Sequence, residues 1–339
     1  MEETNIPDNT TEATNENVNF QSRLDLAPLM ASIENIKQEI ETVIVGQHKM
    51  IDLLLVAILA NGHVLLEGVP GVAKTITAKL LAKTLDIGFS RIQFTPDLMP
   101  SDILGTSVFD LKTSEFSFRK GPIFSNLILI DEINRAPAKT QSALFEVMEE
   151  RQITIDGSAY ILDAPFLVIA TQNPIEQEGT YRLPEAQLDR FLFKISIDFP
   201  KLDEEITIIE REHALQSHSK LENIKTILSS EAIKSYQALV KQIFIEPQLI
   251  AYIAKIVVNT RENGFLYLGA SPRASIAILN AAKGFAAIRG RDFVTPEDIK
   301  EAAIPVLQHR VIVAPEREME GISSSEIIRQ ILEMVEIPR

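Results

Sequence analysis

The sequence contains no cysteine, which excludes disulfides, thiol nucleophiles and cysteine-built zinc sites, and it fits a reducing cytoplasm, the expected compartment. Its five histidines are scattered, with no HExxH or comparable spacing, so a metal centre built from protein side chains alone is not expected. No basic n-region followed by an apolar h-region opens the chain, so no signal peptide is read there. The longest apolar run, Leu53 to Ala60, is far below the ~18–20 residues that a membrane helix needs. Basic residues are also scarce: 33 Lys and Arg face 47 Asp and Glu, for a net charge of −14. Residues 1–20 hold five of the acids and no base, which leaves −9 on the remainder. Nucleic-acid binding depends on a basic footprint, so this balance argues against it as a general activity.

With 339 residues, two domains are expected, with ample material for a core. Residues 1–22 are polar and acidic and read as a disordered tail. From Leu24 the pattern turns helical, with Leu29 or Met30, Ile33, Ile36 and Ile40 on one face, and residues 48–60 form a strongly apolar helix candidate. HVLLEG (63–68), FSRIQF (89–94), NLILIDE (126–132) and FLVIATQ (166–172) are short apolar runs separated by helical or loop segments. That alternation implies a parallel sheet covered on both faces, an α/β domain over 23–200. ITIDGSAYIL (153–162) places Asp-Gly between alternating runs, the signal of a β-hairpin. Residues 201–224 read as a charged linker with helical character, and 225–339 as an all-helical domain. Its helix starts are marked by Ser271-Pro272, Thr295-Pro296 and the capping box Ser323/Glu326.

Between the first strand and the helix TITAKLLAKTL lies GVPGVAKT, residues Gly68, Val69, Pro70, Gly71, Val72, Ala73, Lys74 and Thr75. The phosphate-loop pattern GxxxxGK[ST] matches except that Ala73 replaces its second glycine. Backbone N–H groups at a helix N-terminus grip anions, Lys74 would reach the β/γ-phosphates, and Thr75 would ligate Mg²⁺. A plain Gly-Pro turn before a surface lysine is the simpler alternative. LILIDE puts Asp131 and Glu132 at the carboxyl end of a central strand, the edge that also carries the loop. There Asp131 can hold Mg²⁺ and Glu132 can polarise the attacking water; an acidic strand end facing solvent is the bland alternative. Asn173 follows FLVIATQ and can position that water, although Asn before proline is often only a turn residue. Arg190, in YRLPEAQLDRF, suits an arginine finger supplied by a neighbouring subunit, against a surface salt bridge with Asp189 or Glu185. Arg273 sits in the first turn of the SPRA helix, where the dipole disfavours a cation, which makes sense if it points at an anion.

With VIVGQ, EGVPGVAKT, RIQFTPDLMPSDILG, KGPIF, LILIDEINRAPAKTQSALFEVMEERQITIDG, ATQNPIEQEGTYRLPEAQLDRF and GASPRA in this order, the sequence resembles the MoxR family of AAA+ ATPases. The resemblance runs from about residue 43 to 273 and implies an ATPase with an AAA+ P-loop core and a lid. It makes Lys74 and Thr75 Walker A residues, Asp131 and Glu132 Walker B residues, Asn173 sensor 1, Arg273 sensor 2 and Arg190 the arginine finger. Val45, Gly46 and Gln47 would lie near the adenine, with Ile76 closing the loop segment. Arg135 and Arg182 fall in matching motifs without an assigned role. Residues 95–122 would hold the helix-2 insertion and 153–162 the pre-sensor-1 hairpin. The resemblance further implies ATP and Mg²⁺ as cofactors, a ring that is usually hexameric, and a chaperone-like role in maturing protein complexes. Typical partners carry a von Willebrand factor A domain, and some relatives assist metal-cofactor insertion. Ala73 then reads as a subfamily feature, expected at negative, near-helical φ with its methyl turned from the phosphates. A magnesium-chelatase-like motor and a low-turnover nucleotide-gated scaffold are the alternatives. The intact Asp131, Glu132, Asn173 and Arg190 oppose the scaffold, the missing NKxD motif opposes a GTPase, and Glu132 opposes a metabolic kinase, which must exclude water.

Overall fold

The computed structural model describes residues 23–338 apart from 113, 175–179, 182 and 215–223. The expected tail, Arg182 and part of the expected linker therefore lie outside the described residues. Two helices open the chain, α1 (Ala27–Glu41) and α2 (His48–Leu59). Spacings of three and four put Leu29, Ile33, Ile36 and Ile40 of α1 on one buried face, while Met30 stays exposed. α2 is buried on most sides because nine of its twelve residues are apolar core residues.

The α/β core continues with β1 (His63–Gly68), α3 (Lys74–Thr84), β2 (Phe89–Gln93), α4 (Pro100–Leu104), β3 (Gly105–Asp110), β4 (Glu115–Lys120), β5 (Leu127–Asp131) and α5 (Ala138–Glu150). Then come β6 (Gln152–Ile155), β7 (Ser158–Ile161), β8 (Leu167–Gln172), α6 (Glu185–Leu188) and β9 (Phe191–Ile197). Five strands form one parallel sheet in the order β2-β5-β8-β1-β9. Every residue of β5 is buried, as a central strand covered on both faces requires. β9 is the strand that the short run FLF only hinted at: alternation through FLFKISI buries Phe191, Phe193, Ile195 and Ile197.

Two antiparallel hairpins project from this core. β3 and β4 pair over Gly105 to Lys120 within the expected insertion. β6 and β7 pair around Asp156 (φ 52°) and Gly157 (φ 77°), two successive left-handed residues that suit a tight hairpin turn.

After β9, α7 (Leu202–Ala214) occupies much of the span expected as a linker. The lid follows: α8 (Ser230–Lys241), α9 (Pro247–Glu262), β10 (Leu266–Leu268), α10 (Pro272–Ile288), α11 (Pro296–Leu307), β11 (Ile312–Val313), α12 (Pro315–Met319) and α13 (Ser324–Met334). The capping boxes at Thr295/Asp298 and Ser323/Glu326 are both formed. β10 and β11 pair as a short antiparallel ribbon, a departure from an all-helical lid. Three and two residues are too few to carry a readable period, and these strands pair only because the surrounding helices bring them together.

Candidate active site

Register fixes where each polar side chain stands. Gln93 lies beside Asp131, Leu66 beside Thr171 and Glu67 beside Gln172, so Asp131, Asn173 and the loop after Gly68 all gather at the carboxyl edge of the sheet. Pro70, Gly71, Ala73, Lys74, Thr75, Ile76, Asp131, Glu132 and Asn173 line one cleft of about 390 Å³, with Arg91, Gln93 and Thr171. Lys74 Nζ donates to the Gly68 carbonyl at 2.6 Å, a contact that folds the loop around the lysine. Burial lowers the Lys74 pKa from its ordinary value, while the charges of Asp131 and Glu132 act in the opposite direction. Gly68, Val69 and Val72 support the loop from behind: Val72 is buried, and a Cβ on Gly68 would stand 2.9 Å from the Ile197 carbonyl.

The expectation for Ala73 is overturned. Its backbone sits at φ 61°, ψ 14°, in the left-handed region, as the residue that hands the loop to α3. Starting the helix at Lys74 with its first N–H groups facing the cleft requires a reversal there, which glycine makes freely and alanine at a cost of about 1–2 kcal/mol. The methyl packs against the apolar core cluster while the residue still borders the cleft.

The two acids are held by residues that sequence reasoning missed. Arg91 Nε donates to Asp131 Oδ2 at 2.6 Å, and Gln93 Nε2 to Glu132 Oε2 at 2.7 Å. Arg135, unassigned from sequence, pairs through Nε with the same Glu132 oxygen at 3.1 Å. Thr171 ties the pair together: its hydroxyl accepts the Glu132 N–H (3.1 Å) and donates to Asp131 Oδ1 (3.3 Å). Glu132 itself is left-handed (φ 57°), a strained backbone of the kind that collects at functional sites. The signal for Arg91 and Gln93 was the two-residue alternation in RIQF, which turns them to one side of β2.

Mg²⁺ takes one or two carboxylates, a hydroxyl, waters and phosphate oxygens rather than a protein cage. The cleft fits that demand, because Thr75 and Asp131 border it together with Lys74. No cluster of three or more His, Cys, Asp or Glu that could hold a metal occurs among the described residues.

Val45, Gly46 and Gln47 do not border the cleft. Gly46 (φ 68°) is buried, and a side chain there would overlap the Glu204 carboxylate of α7. Gln47 Nε2 reaches the Asp198 carbonyl at 3.3 Å.

Arg190 and Arg273 are also elsewhere. Arg190 directly precedes Phe191, which lies beside His63, the first residue of β1, whereas the phosphate loop follows Gly68 at the other end. Five residue steps at about 3.3 Å put those levels roughly 17 Å apart. Arg190 pairs with neither Asp189 nor Glu185 but with Glu149, through Nε (2.7 Å) and Nη2 (2.6 Å). Arg273 Nη2 reaches the same carboxylate at 3.2 Å. Asp189 instead takes Arg310 Nε at 2.7 Å and the Ser271 hydroxyl at 3.3 Å, so Ser271 stands at its helix N-terminus without capping it. A larger cavity of about 460 Å³ lies between sheet and lid, but its charges are already paired, Lys194 with Glu67 and Arg310 with Asp189. The smaller cleft is the one that brings Lys74, Thr75, Asp131, Glu132 and Asn173 together.

Residues 63–193 match the family model described as ATPase family associated with various cellular activities (AAA), and 258–331 match the AAA lid domain. The fold and site thus define an AAA+ ATPase, which binds and hydrolyses ATP. YeaC of Bacillus subtilis is 45% identical over 93% of this chain and 96% of its own, and Chaperone MoxR1 of Mycobacterium tuberculosis is 43% identical over 93% and 84%. Protein MoxR of Methylorubrum extorquens is 30% identical over 89% and 94%. A crystal structure of a Cytophaga hutchinsonii protein superposes with a TM-score of 0.86 at 44% identity, covering 93% of this chain and 97% of that one. The chain belongs to the MoxR family of AAA+ ATPases.

Proposed function

We propose that this ATPase works as a ring, usually of six copies, in which each nucleotide cleft is completed by Arg190 and Arg273 of the neighbouring copy. Within the cleft, Lys74 and the loop N–H groups hold the phosphates, and Thr75 and Asp131 hold Mg²⁺, which supplies charge neutralisation when bound. Glu132 polarises the attacking water and Asn173 positions it. The observation that carries the reading is the register of β9 on β1, with Arg190 one strand-length from its own phosphate loop. A finger in that position is useful only to a second molecule. The hydrolysis drives chaperone-like remodelling of a protein complex in the cytoplasm. The proposed partner is a protein with a von Willebrand factor A domain, and metal-cofactor insertion is one form of the work. Support comes from the family and from the relative named Chaperone MoxR1. Among the described residues no helix is long and apolar enough to cross a membrane.

Mixing tests the trans arrangement. Lys74→Ala subunits keep their arginines and Arg190→Ala subunits keep their loop, so mixed assemblies should recover turnover that neither shows alone. Absence of recovery at every ratio, with assembly intact by light scattering, would return the arginine to some other task.

A further inference from the structure

Glu149 stands in the last turn of α5, and its two oxygens serve two arginines from unrelated segments. Oε2 takes Arg190 of the core at 2.6 and 2.7 Å, and Oε1 takes Arg273 of the lid at 3.2 Å. Two guanidiniums this near repel each other unless an anion lies between them, and Glu149 alone among the described residues bridges both. Glu146 and Glu150 border the same hollow without touching either arginine. The end of α5 is itself anchored. His63 Nε2 bonds the Met148 carbonyl at 3.1 Å, and Arg151 grips Asn61 through Nη1 (2.6 Å) and Nη2 (2.7 Å). The Phe145 ring, one turn earlier, lies 5.9 Å below the Arg190 guanidinium. Neither arginine is sealed off: Arg190 is 28% exposed and spends only Nε and Nη2 on Glu149, and Arg273 is 60% exposed, with its Nη1 3.9 Å from Asp189 Oδ2.

We propose that Glu149 is a positioning residue that sets Arg190 and Arg273 as one two-guanidinium clamp for the triphosphate of a neighbouring copy. This rests on the trans reading given above. The carboxylate cancels their mutual repulsion, ties a core arginine to a lid arginine, and orients both forks toward the subunit boundary. Glu149 touches no nucleotide; it acts through the arginines.

The test is ATP turnover by the full-length chain for Glu149→Ala, Glu149→Gln, Arg190→Ala and Arg273→Ala, with Glu149→Ala also placed on the Arg190→Ala/Arg273→Ala background and read by single-turnover hydrolysis. Misplacing a reacting group costs on the order of 10²-fold in rate. Glu149→Ala should therefore lower kcat about 10- to 100-fold and leave KM for ATP within about twofold. Glu149→Gln, which keeps an acceptor but no charge, should fall between. On the background lacking both arginines, Glu149→Ala should change nothing further, because coupled residues are not additive. An unchanged or raised kcat in Glu149→Ala overturns the proposal, and so does an equal drop without the arginines. Should Arg190→Ala and Arg273→Ala leave kcat intact, the trans reading falls and takes this one with it. Should they lower kcat while Glu149→Ala does not, only Glu149 is dismissed. If Glu149→Ala fails to assemble, Glu149→Gln decides: a reduced kcat in intact assemblies supports the clamp, and a wild-type kcat overturns it.

Discussion

The two edges of the same parallel sheet differ in how their charges are left. Where β1, β5 and β8 end, Lys74, Asp131, Glu132 and Asn173 converge on one cleft, held by Arg91, Gln93 and Thr171. Where β1 and β9 begin, Arg190 and Arg273 share Glu149 and remain partly exposed. The first edge gathers its groups around one cleft of the chain; the second ties its two cations to a single carboxylate, away from that cleft. In the proposed ring, one sheet would thus supply both halves of an ATPase site, but to two different sites.

That contrast is broken most easily by Arg190→Ala, which should cut turnover by about 10³-fold or more and leave ATP affinity unchanged, read by steady-state kinetics beside a nucleotide-binding titration. Glu132→Gln, at the opposite edge, should lower turnover by roughly 10²–10⁴-fold with ATP still bound. Normal hydrolysis in that variant would place the base elsewhere. Lys74→Ala should instead abolish measurable ATP binding, so a titration that still saturates normally would remove the phosphate-loop assignment.

Two smaller effects separate the edges by stability. His63 begins β1, with Nδ1 accepting the Val168 N–H (3.0 Å) and Nε2 donating to Met148 beside Glu149. Burial, and then the nearby Arg151 charge, push its pKa down from 6.5 to about 4. A lowered folded pKa means that the unfolded chain takes the proton first. The associated stability is complete above pH 6.5 and is lost as pH falls toward 4, by roughly 3 kcal/mol in all. The stability gap between the native protein and His63→Gln, from urea unfolding, should therefore narrow over that window; a gap that stays constant would contradict a neutral buried imidazole. His309, buried and lowered for the same reason, pulls in the same direction. At the other edge, Ala73→Gly should raise stability by about 1 kcal/mol by relieving the left-handed alanine, a shift visible in the urea midpoint. A loss of stability would mean that the alanine is not strained.

Most of the carboxyl edge could be read directly, because each of its residues sits at the end of an unbroken apolar run. HVLLEG, NLILIDE and FLVIATQ each deliver a polar group immediately after a buried strand, so local pattern and tertiary position coincide. The opposite edge could not be read that way. Glu149 lies 41 residues from Arg190 and 124 from Arg273, and nothing local in MEERQ distinguishes it from Glu146 or Glu150. Arg273 was legible as a misplaced cation, but not the anion it finds. Ala73 misled because alanine prefers negative φ, and the start of α3 overrides that preference. β10 and β11 escaped notice because they are shorter than any period.

The parallel alignment of β9 on β1 has one more consequence for the proposed ring. If the trans arrangement holds, a chain whose cations stand one strand-length from its own phosphate loop would be inactive when alone, and the rate per molecule would depend on how many copies have met. Abundance would then act as a control, with turnover rising as subunits assemble. On that reading, a scarce or newly made subunit would need no separate inhibitor to keep it from wasting nucleotide.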